Sequence, residues 1–145
     1  MSEIREARLQ KANSLVSKGF ASYAESFKAS HTTKFLIQKF NNLENGKEAD
    51  FTVSLAGRVM AKRVMGKIAF FTISDQEGQI QLYLDKRIIN FNLEKQKLLS
   101  FEDLKEIVDR GDWIGVYGTN KKTNKGELSI KVEKWEMLSK SLQPL

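Results

Sequence analysis

Residues 51–84 read FTVSLAGRVMAKRVMGKIAFFTISDQEGQIQLYL, and this stretch decides the fold. Apolar or small residues occupy every second position of its first part: Phe51, Val53, Leu55, Gly57 and Val59. A period of two predicts a half-buried β-strand. A turn at 64–67 separates it from a second predicted strand at 68–74. A tight connection at 75–78 then leads to a third strand at 79–84.

Helical spacing of apolar residues returns over 93–109, where Ser100 and Asp103 have the spacing of a capping box. A strand, a hairpin loop and a last strand follow at 113–118, 120–126 and 127–137. Five strands with a helix between the third and the fourth is the order of the OB-fold, a small barrel. The predicted class is an all-β core with helices (α+β). A β-sandwich is the alternative, although sandwiches do not usually place a long amphipathic helix at this point.

The first third of the chain has a different pattern from the rest. Residues 4–18 have helical spacing, and Thr32 or Thr33 is placed to cap a second, shorter helix. Such short helices cannot form a core of their own, so we expect them to pack on the barrel. The predicted organisation is a helical extension at 1–50, an OB-fold at 51–138 and the start of a linker at 139–145.

The composition excludes several kinds of site. The 145 residues include no Cys and one His, which excludes a disulfide framework, a thiol nucleophile and a Cys-based or His-rich metal site. We therefore predict no catalytic residues, no metal and no cofactor in this chain. No apolar run approaches 18 residues and the N-terminus is not a signal peptide, so we expect a cytoplasmic protein without a membrane partner. The net charge of +6, from 24 basic and 18 acidic residues, suggests a polyanionic partner.

Alternation also sorts the side chains of each predicted strand. Phe70 and Phe71 are neighbours and must point to opposite faces. Because Ala69, Phe71 and Ile73 form an apolar set, we predict that Phe70 lies on the outer face. The same argument places further side chains on outer strand faces: Arg58, Lys62, Gln81, Tyr83, Glu127, Ser129 and Lys131.

Two basic segments flank this predicted face. Each contains several cations and no acid; they are Arg58, Lys62, Arg63 and Lys67 in the first, and Lys121, Lys122 and Lys125 in the second. Basic side chains attract phosphates, and an exposed aromatic ring offers a base a stacking surface. Arg63 and Gln81 could add hydrogen bonds to base edges, which carry sequence information. These features together predict a nucleic-acid-binding domain.

Several motifs resemble a known family. They are GRVMAKRVMGKIAFF at 57–71, Asp75, GQIQLY at 78–83, Gly111-Asp112, Gly115, Gly118 and KGELSI at 125–130, with the tail LSKSLQPL at 138–145. These motifs resemble the N-terminal anticodon-binding domain of bacterial lysyl-tRNA synthetase, a class II synthetase. The resemblance covers nearly the whole chain and is loosest over residues 20–50.

The resemblance implies an OB-fold that reads the uracil-rich anticodon of the lysine tRNA. By resemblance, Phe70 stacks on the central uracil, and Arg63 and Gln81 hydrogen-bond that base. Glu127 matches a carboxylate that reads a flanking base. The predicted N-terminal helix, which carries Arg5, Arg8 and Lys11, resembles the family's helix that lies near the tRNA backbone.

The resemblance also implies a larger enzyme. In the family a separate catalytic domain, which uses ATP and Mg²⁺, attaches lysine to its tRNA, and the enzyme is a homodimer. We expect that this chain alone has no aminoacylation activity. Two alternatives remain from the residues themselves. One is a sequence-tolerant module for single-stranded nucleic acid, and the other is a protein-interaction domain whose helices form the partner surface.

Overall fold

Alternating apolar residues produce five strands in the computed structural model, which describes residues 27–96 and 100–141. They are β1 (Glu48–Met65), β2 (Ile68–Ser74), β3 (Gln79–Asp85), β4 (Trp113–Lys122) and β5 (Leu128–Ser139). The strands form a closed barrel in the order β1-β2-β3-β5-β4. The β3–β5 pair is parallel and the other four pairs are antiparallel.

Three helices are described: α1 (Thr33–Lys39), α2 (Lys86–Gln96) and α3 (Phe101–Ile107). The side chain of Thr32 caps α1 by accepting a hydrogen bond from the Phe35 N–H. Of the two predicted caps, Thr32 and Thr33, the structure thus has Thr32. The predicted capping box of Ser100 and Asp103 is confirmed, since both of its reciprocal hydrogen bonds form.

The prediction of one helical segment over 93–109 is wrong. The chain forms two helices between β3 and β4, and the first begins at Lys86, directly after β3. Asp85 explains the abrupt change from strand to helix, because its carboxylate accepts a hydrogen bond from the Arg87 backbone N–H at 2.9 Å. The second helix begins anew at Phe101, after the N-cap residue Ser100, whose φ and ψ of −80° and 170° are extended.

The strand boundaries also differ from the predicted ones. β1 begins at Glu48, three residues before Phe51. β4 continues to Lys122, so Lys121 and Lys122 pair with β5 residues instead of lying in a loop. The connection is therefore short, and it is closed by a hydrogen bond from the Thr123 N–H to the Glu127 carbonyl at 2.9 Å. The predicted helix at 4–18, with Arg5, Arg8 and Lys11, and residues 142–145 lie outside the described residues.

The inner faces of the strands form one hydrophobic core. Its fully buried members include Ala69, Phe71 and Ile73, the apolar set predicted for β2, together with Leu82 and Leu84 of β3. Leu36 of α1, Ile89 of α2 and Leu104 of α3 join the same core, so all three helices pack on the barrel. β4 and β5 approach closely at Gly118, where a Cβ would lie 2.0 Å from the Lys131 carbonyl oxygen. This contact requires glycine.

Candidate nucleic-acid interface

A β-bulge in β1 decides which basic side chain shares a face with Phe70. Val59 pairs with Ile73 but Ala61 pairs with Thr72, so Met60 is an extra residue with no partner position on β2. Beyond the bulge Lys62 lies opposite Phe71 and Arg63 lies opposite Phe70. Directly opposed residues share a face, so Arg63 joins the outer face with Phe70.

The expectation that Lys62 shares the outer face with Phe70 is wrong. It assumed an uninterrupted period of two, which the bulge breaks. The Lys62 Nζ instead donates to the carbonyl oxygens of Lys105 and Val108, at 2.6 and 2.7 Å. These carbonyls lie at the C-terminal end of α3, where a cation is favoured by the helix dipole and by carbonyls that have no partner within the helix.

Two rows of side chains cross the outer face of the barrel. Arg63, Phe70 and Tyr83 occupy opposed positions on β1, β2 and β3. Thr72, Gln81 and Ser129 form the adjacent row on β2, β3 and β5. The Phe70 and Tyr83 rings meet edge to face with their centroids 5.7 Å apart. The Lys121 Nζ lies 4.7 Å from the Tyr83 ring centroid.

A groove of about 340 Å³ opens over these rows, and we call it the Phe70 groove. It is lined by Arg63, Met65, Phe70, Gln81, Thr123, Asn124, Lys125 and Glu127. The β4–β5 connection forms one wall and the strands form the floor. The four residues that the resemblance assigns to anticodon bases therefore line one cavity, together with one of the predicted phosphate-binding lysines. Its volume is within the usual range of ligand sites, about 300–1,000 Å³.

The charged groups of the Phe70 groove are available to a ligand. Arg63 is exposed, and its Nη2 lies 3.5 Å from the Met65 Sδ. Lys125 and Glu127 are also exposed and form no ion pair with any described residue. The groove thus offers two cations for phosphate or base oxygens and one carboxylate that can accept a hydrogen bond from a base N–H.

Tyr83 contributes a neutral phenol beside the groove. Burial raises the pKa of Tyr83, and the nearby Asp85 carboxylate raises it further. The phenol therefore stays protonated at neutral pH. Its ring is held between Phe70 and the Lys121 ammonium group, which gives this part of the face a continuous aromatic surface with a cation at its edge.

The other predicted binding residues lie outside the Phe70 groove. Arg58 is opposite Ser74 and Trp113, and its buried Nε has no hydrogen-bond partner among the described residues. Lys67 is exposed at the β1–β2 turn. The Lys122 Nζ donates to the Asn41 carbonyl oxygen at 2.9 Å, which ties β4 to the segment after α1. Each basic segment therefore contains one lysine that is bound to backbone carbonyls, Lys62 or Lys122, and one that is exposed, Lys67 or Lys125.

A second, smaller groove of about 230 Å³ adjoins the first and shares Glu127 with it. It lies between α1 and the start of β5, and its lining includes Ile37, Phe40, Gln79 and Lys122. Sequence reasoning missed this groove because no motif shows where α1 packs on the barrel. It also missed Met65, Thr123 and Asn124 as lining of the Phe70 groove, since their positions depend on the short β4–β5 connection.

Within residues 27–96 and 100–141, no group of three or more His, Cys, Asp or Glu side chains is arranged to hold a metal ion. No helix in the same residues has both the length and the apolar composition to cross a bilayer.

Comparison with known proteins identifies the family. A family model described as an OB-fold nucleic acid binding domain matches residues 53–138. The whole chain is 91% identical to part of a lysine–tRNA ligase of Prochlorococcus marinus (strain MIT 9312) and 50% identical to part of one from Synechococcus sp. (strain RCC307). It spans 28% and 27% of the length of these relatives. The predicted OB-fold and the predicted resemblance to lysyl-tRNA synthetase are confirmed. The chain belongs to the tRNA anticodon family of OB-fold nucleic acid binding domains.

Proposed function

We propose that this chain is the part of a lysyl-tRNA synthetase that reads the uracil-rich lysine anticodon, with the central uracil bound in the Phe70 groove. The observation that carries the proposal is the convergence of Arg63, Phe70, Gln81 and Glu127 on one cavity of about 340 Å³. These residues come from three strands and one connection. A face that merely kept the barrel soluble would not need a ring, a guanidinium, an amide and a carboxylate in one groove.

The four side chains have separate tasks in this proposal. The Phe70 ring stacks on the central base, and its edge-to-face contact with Tyr83 fixes its orientation. Arg63 donates to a uracil carbonyl oxygen, and Gln81 forms hydrogen bonds to the base edge. Glu127 accepts from an N–H of a flanking base. Lys125 and Lys121 lie close enough to the groove to attract the phosphates that join these nucleotides.

The proposal extends to the longer protein. Two relatives that share this segment at 91% and 88% identity are named lysine–tRNA ligases. We propose that the parent protein is an ATP-dependent lysine–tRNA ligase of the cytoplasm, and that it acts as a homodimer. ATP and Mg²⁺ then belong to a catalytic domain outside this chain. The task of the present residues is to hold the anticodon.

The test is a titration of the chain with RNA hairpins that carry the lysine anticodon stem-loop. A matched hairpin has its central uracil replaced by cytosine. We expect the lysine hairpin to bind about tenfold more tightly, because one mismatched base typically costs about 1–3 kcal/mol. Phe91→Ala, at an exposed ring on α2 outside the groove, is the control variant and should keep this ratio. Equal affinity for both hairpins would exclude anticodon reading.

A second candidate function is sequence-tolerant binding of single-stranded nucleic acid. The Phe70–Tyr83 ring pair with Lys121 beside it favours this candidate, because aromatic surfaces flanked by cations bind any base. The two functions differ in one measurement. A tolerant module should bind unstructured oligouridine and oligocytidine of equal length with similar affinity, whereas an anticodon reader should prefer the folded lysine hairpin over both.

A further inference from the structure

Ser129 is a buried hydroxyl directly beneath the Phe70 groove. Ser129 is fully buried, so its hydroxyl does not contact a ligand in the groove. It lies opposite Gln81 in the parallel β3–β5 pair. The Gln81 Nε2 donates to the Ser129 Oγ at 2.9 Å, and the Ser129 Oγ donates to the Glu127 carbonyl oxygen at 3.3 Å.

This chain of hydrogen bonds has a fixed direction. A backbone carbonyl oxygen can only accept, so the single hydroxyl proton of Ser129 is directed to Glu127. The Ser129 oxygen must then act as the acceptor toward Gln81, and the Gln81 group next to it must be the amide NH₂. If the amide were rotated by half a turn, its oxygen and the Glu127 carbonyl, which also accepts from the Thr123 N–H, would compete for the same proton. Ser129 would then form only one of its two hydrogen bonds.

We propose that Ser129 is a positioning residue that sets the base specificity of the groove by fixing the orientation of the Gln81 amide. This inference rests on the proposed function. With its NH₂ held by Ser129, Gln81 directs its carbonyl oxygen toward the groove, which Gln81 lines. A backbone carbonyl of the β4–β5 connection therefore determines, through the Ser129 and Gln81 side chains, which polar atom is presented to the base.

An amide fixed in this way distinguishes uracil from cytosine. The N3 atom of uracil carries a proton and can donate to the Gln81 carbonyl oxygen. The N3 atom of cytosine has no proton and would face that oxygen with a lone pair. An amide that is free to rotate could satisfy either base, because its NH₂ group would turn toward cytosine. Ser129 therefore acts on discrimination between bases more than on affinity for the preferred base.

The experiment measures the ratio of affinities for the uracil and cytosine hairpins in three variants of the chain. Ser129→Ala should lower this ratio about threefold to tenfold, which corresponds to the net contribution of one hydrogen bond. Ser129→Thr keeps a hydroxyl and should restore the ratio. Ser74→Ala removes a hydroxyl from the neighbouring outer face, where it bonds the Asp75 carbonyl, and should leave the ratio unchanged.

A double-mutant cycle with Gln81→Ala separates positioning from a general structural effect. If Ser129 acts through Gln81, Ser129→Ala should not change the ratio further once Gln81 is alanine. Ser129→Cys preserves volume with a weak hydrogen-bonding group and provides the same cycle if Ser129→Ala does not fold. Thermal unfolding of each variant shows which ones are native.

The outcomes separate the two proposals. A wild-type chain that binds both hairpins equally would overturn the proposed function. A wild-type chain that prefers uracil, together with a native Ser129→Ala or Ser129→Cys chain that keeps the full preference, would overturn only the role of Ser129. An equal loss of preference in the Gln81→Ala background would also overturn that role, because the hydroxyl would then act without the amide.

Discussion

The Phe70 groove and the α3 end of the barrel, which contains Lys62, Asp109, Asp112 and Lys140, are both rich in charged side chains. The two regions differ in whether these side chains are bound by other groups of the protein. At the α3 end, Lys62 donates to helix carbonyls, and Lys140 pairs with Asp109 at 2.9 Å and with buried Asp112. In the Phe70 groove, Lys125 and Glu127 have no ion pair with any described residue. Cations bound within the fold stabilise it, whereas cations without an internal partner are available to RNA.

The largest expected effect concerns the buried ion pair. The Lys140 side chain is 4% exposed, and Asp112→Ala removes one of the two carboxylates that its ammonium group pairs with among the described residues, leaving Asp109. It also removes the acceptor for the Asp109 and Ser141 N–H groups. We expect a loss of about 3–5 kcal/mol in the free energy of unfolding, measured by urea denaturation. Exposed Asp50→Ala is the control, and a loss below about 1 kcal/mol would contradict a stabilising role for this pair.

Phe70→Ala should have the next largest effect, on RNA and not on the fold. Removal of the stacking surface should weaken binding of the lysine hairpin by about 1–3 kcal/mol, measured by fluorescence anisotropy. The unfolding free energy should change little, because Phe70 is partly exposed and outside the buried core. The comparison with Phe91→Ala is decisive: if both variants bind equally well, stacking on Phe70 is not part of recognition.

Lys62 and Arg63 are neighbours in the chain, but Lys62 belongs to the α3 end and Arg63 to the Phe70 groove. Substitutions at these two positions therefore test the difference between the two regions. Lys62→Ala should lower the unfolding free energy by about 1–2 kcal/mol through loss of charge-assisted hydrogen bonds to α3, with little effect on hairpin affinity. Arg63→Ala should do the opposite and weaken RNA binding by a similar amount. Unfolding and binding are measured on both proteins. Equal losses of RNA affinity in the two variants would disprove the separation that the bulge produces.

Asp75 differs from both regions, because its carboxylate accepts hydrogen bonds from neutral groups: backbone N–H groups and the Thr33 hydroxyl. Burial raises its pKa, but hydrogen bonds from Thr33, Glu77 and Gly78 outweigh burial and hold the pKa below the ordinary value of 3.8. A lowered pKa contributes stability that is fully present above the ordinary value and is lost as the pH falls through the folded value.

Asp75→Asn should therefore reduce the dependence of stability on pH below about pH 4. It should also cost about 1 kcal/mol at pH 7, since the amide replaces one acceptor oxygen by a donor. Unfolding in urea at a series of pH values tests both statements. An unchanged slope in the acidic range would show that Asp75 does not link the β2–β3 turn to α1 as described.

The smallest expected effect belongs to the second basic segment. Lys125→Ala should reduce the slope of log affinity against log salt concentration by about 0.7, as one phosphate contact to single-stranded RNA is lost. Lys122→Ala removes the hydrogen bond to Asn41 instead, and should change stability more than this slope. Titrations at several salt concentrations measure both. Identical slopes for the wild type and Lys125→Ala would remove Lys125 from the interface.

Much of the barrel could be predicted from local pattern. The bounds of β2 and the inward set Ala69, Phe71 and Ile73 follow from alternation in a short strand with apolar residues on one face. The capping box before α3 was predictable because both of its partners lie within four residues. The start of α2 was not predicted, because Ile88 and Ile89 are adjacent apolar residues that give no helical spacing by themselves.

The candidate site was predicted in its residue types but not in its full geometry. Alternation placed Phe70 and Gln81 on one outer face, as the structure has them. It could not place Arg63, because a bulge depends on tertiary pairing and leaves no clear mark on a sequence of alternating type. It also could not show that Lys62 and Lys122 are bound internally, since their acceptors are backbone carbonyls distant in the chain.

Because Met60 has no partner on β2, the effect of deleting one residue from β1 should depend on whether the deleted residue is Met60 or lies after Arg63. Removal of Met60 would delete the bulge and still leave Lys62 opposite Phe71 and Arg63 opposite Phe70, because the residues after it already follow the β2 register. Removal of one residue between Arg63 and the turn, or addition of one there, would shift the phase of the strand and exchange its two faces. A single deletion can thus be silent at one position and eliminate the groove a few residues later.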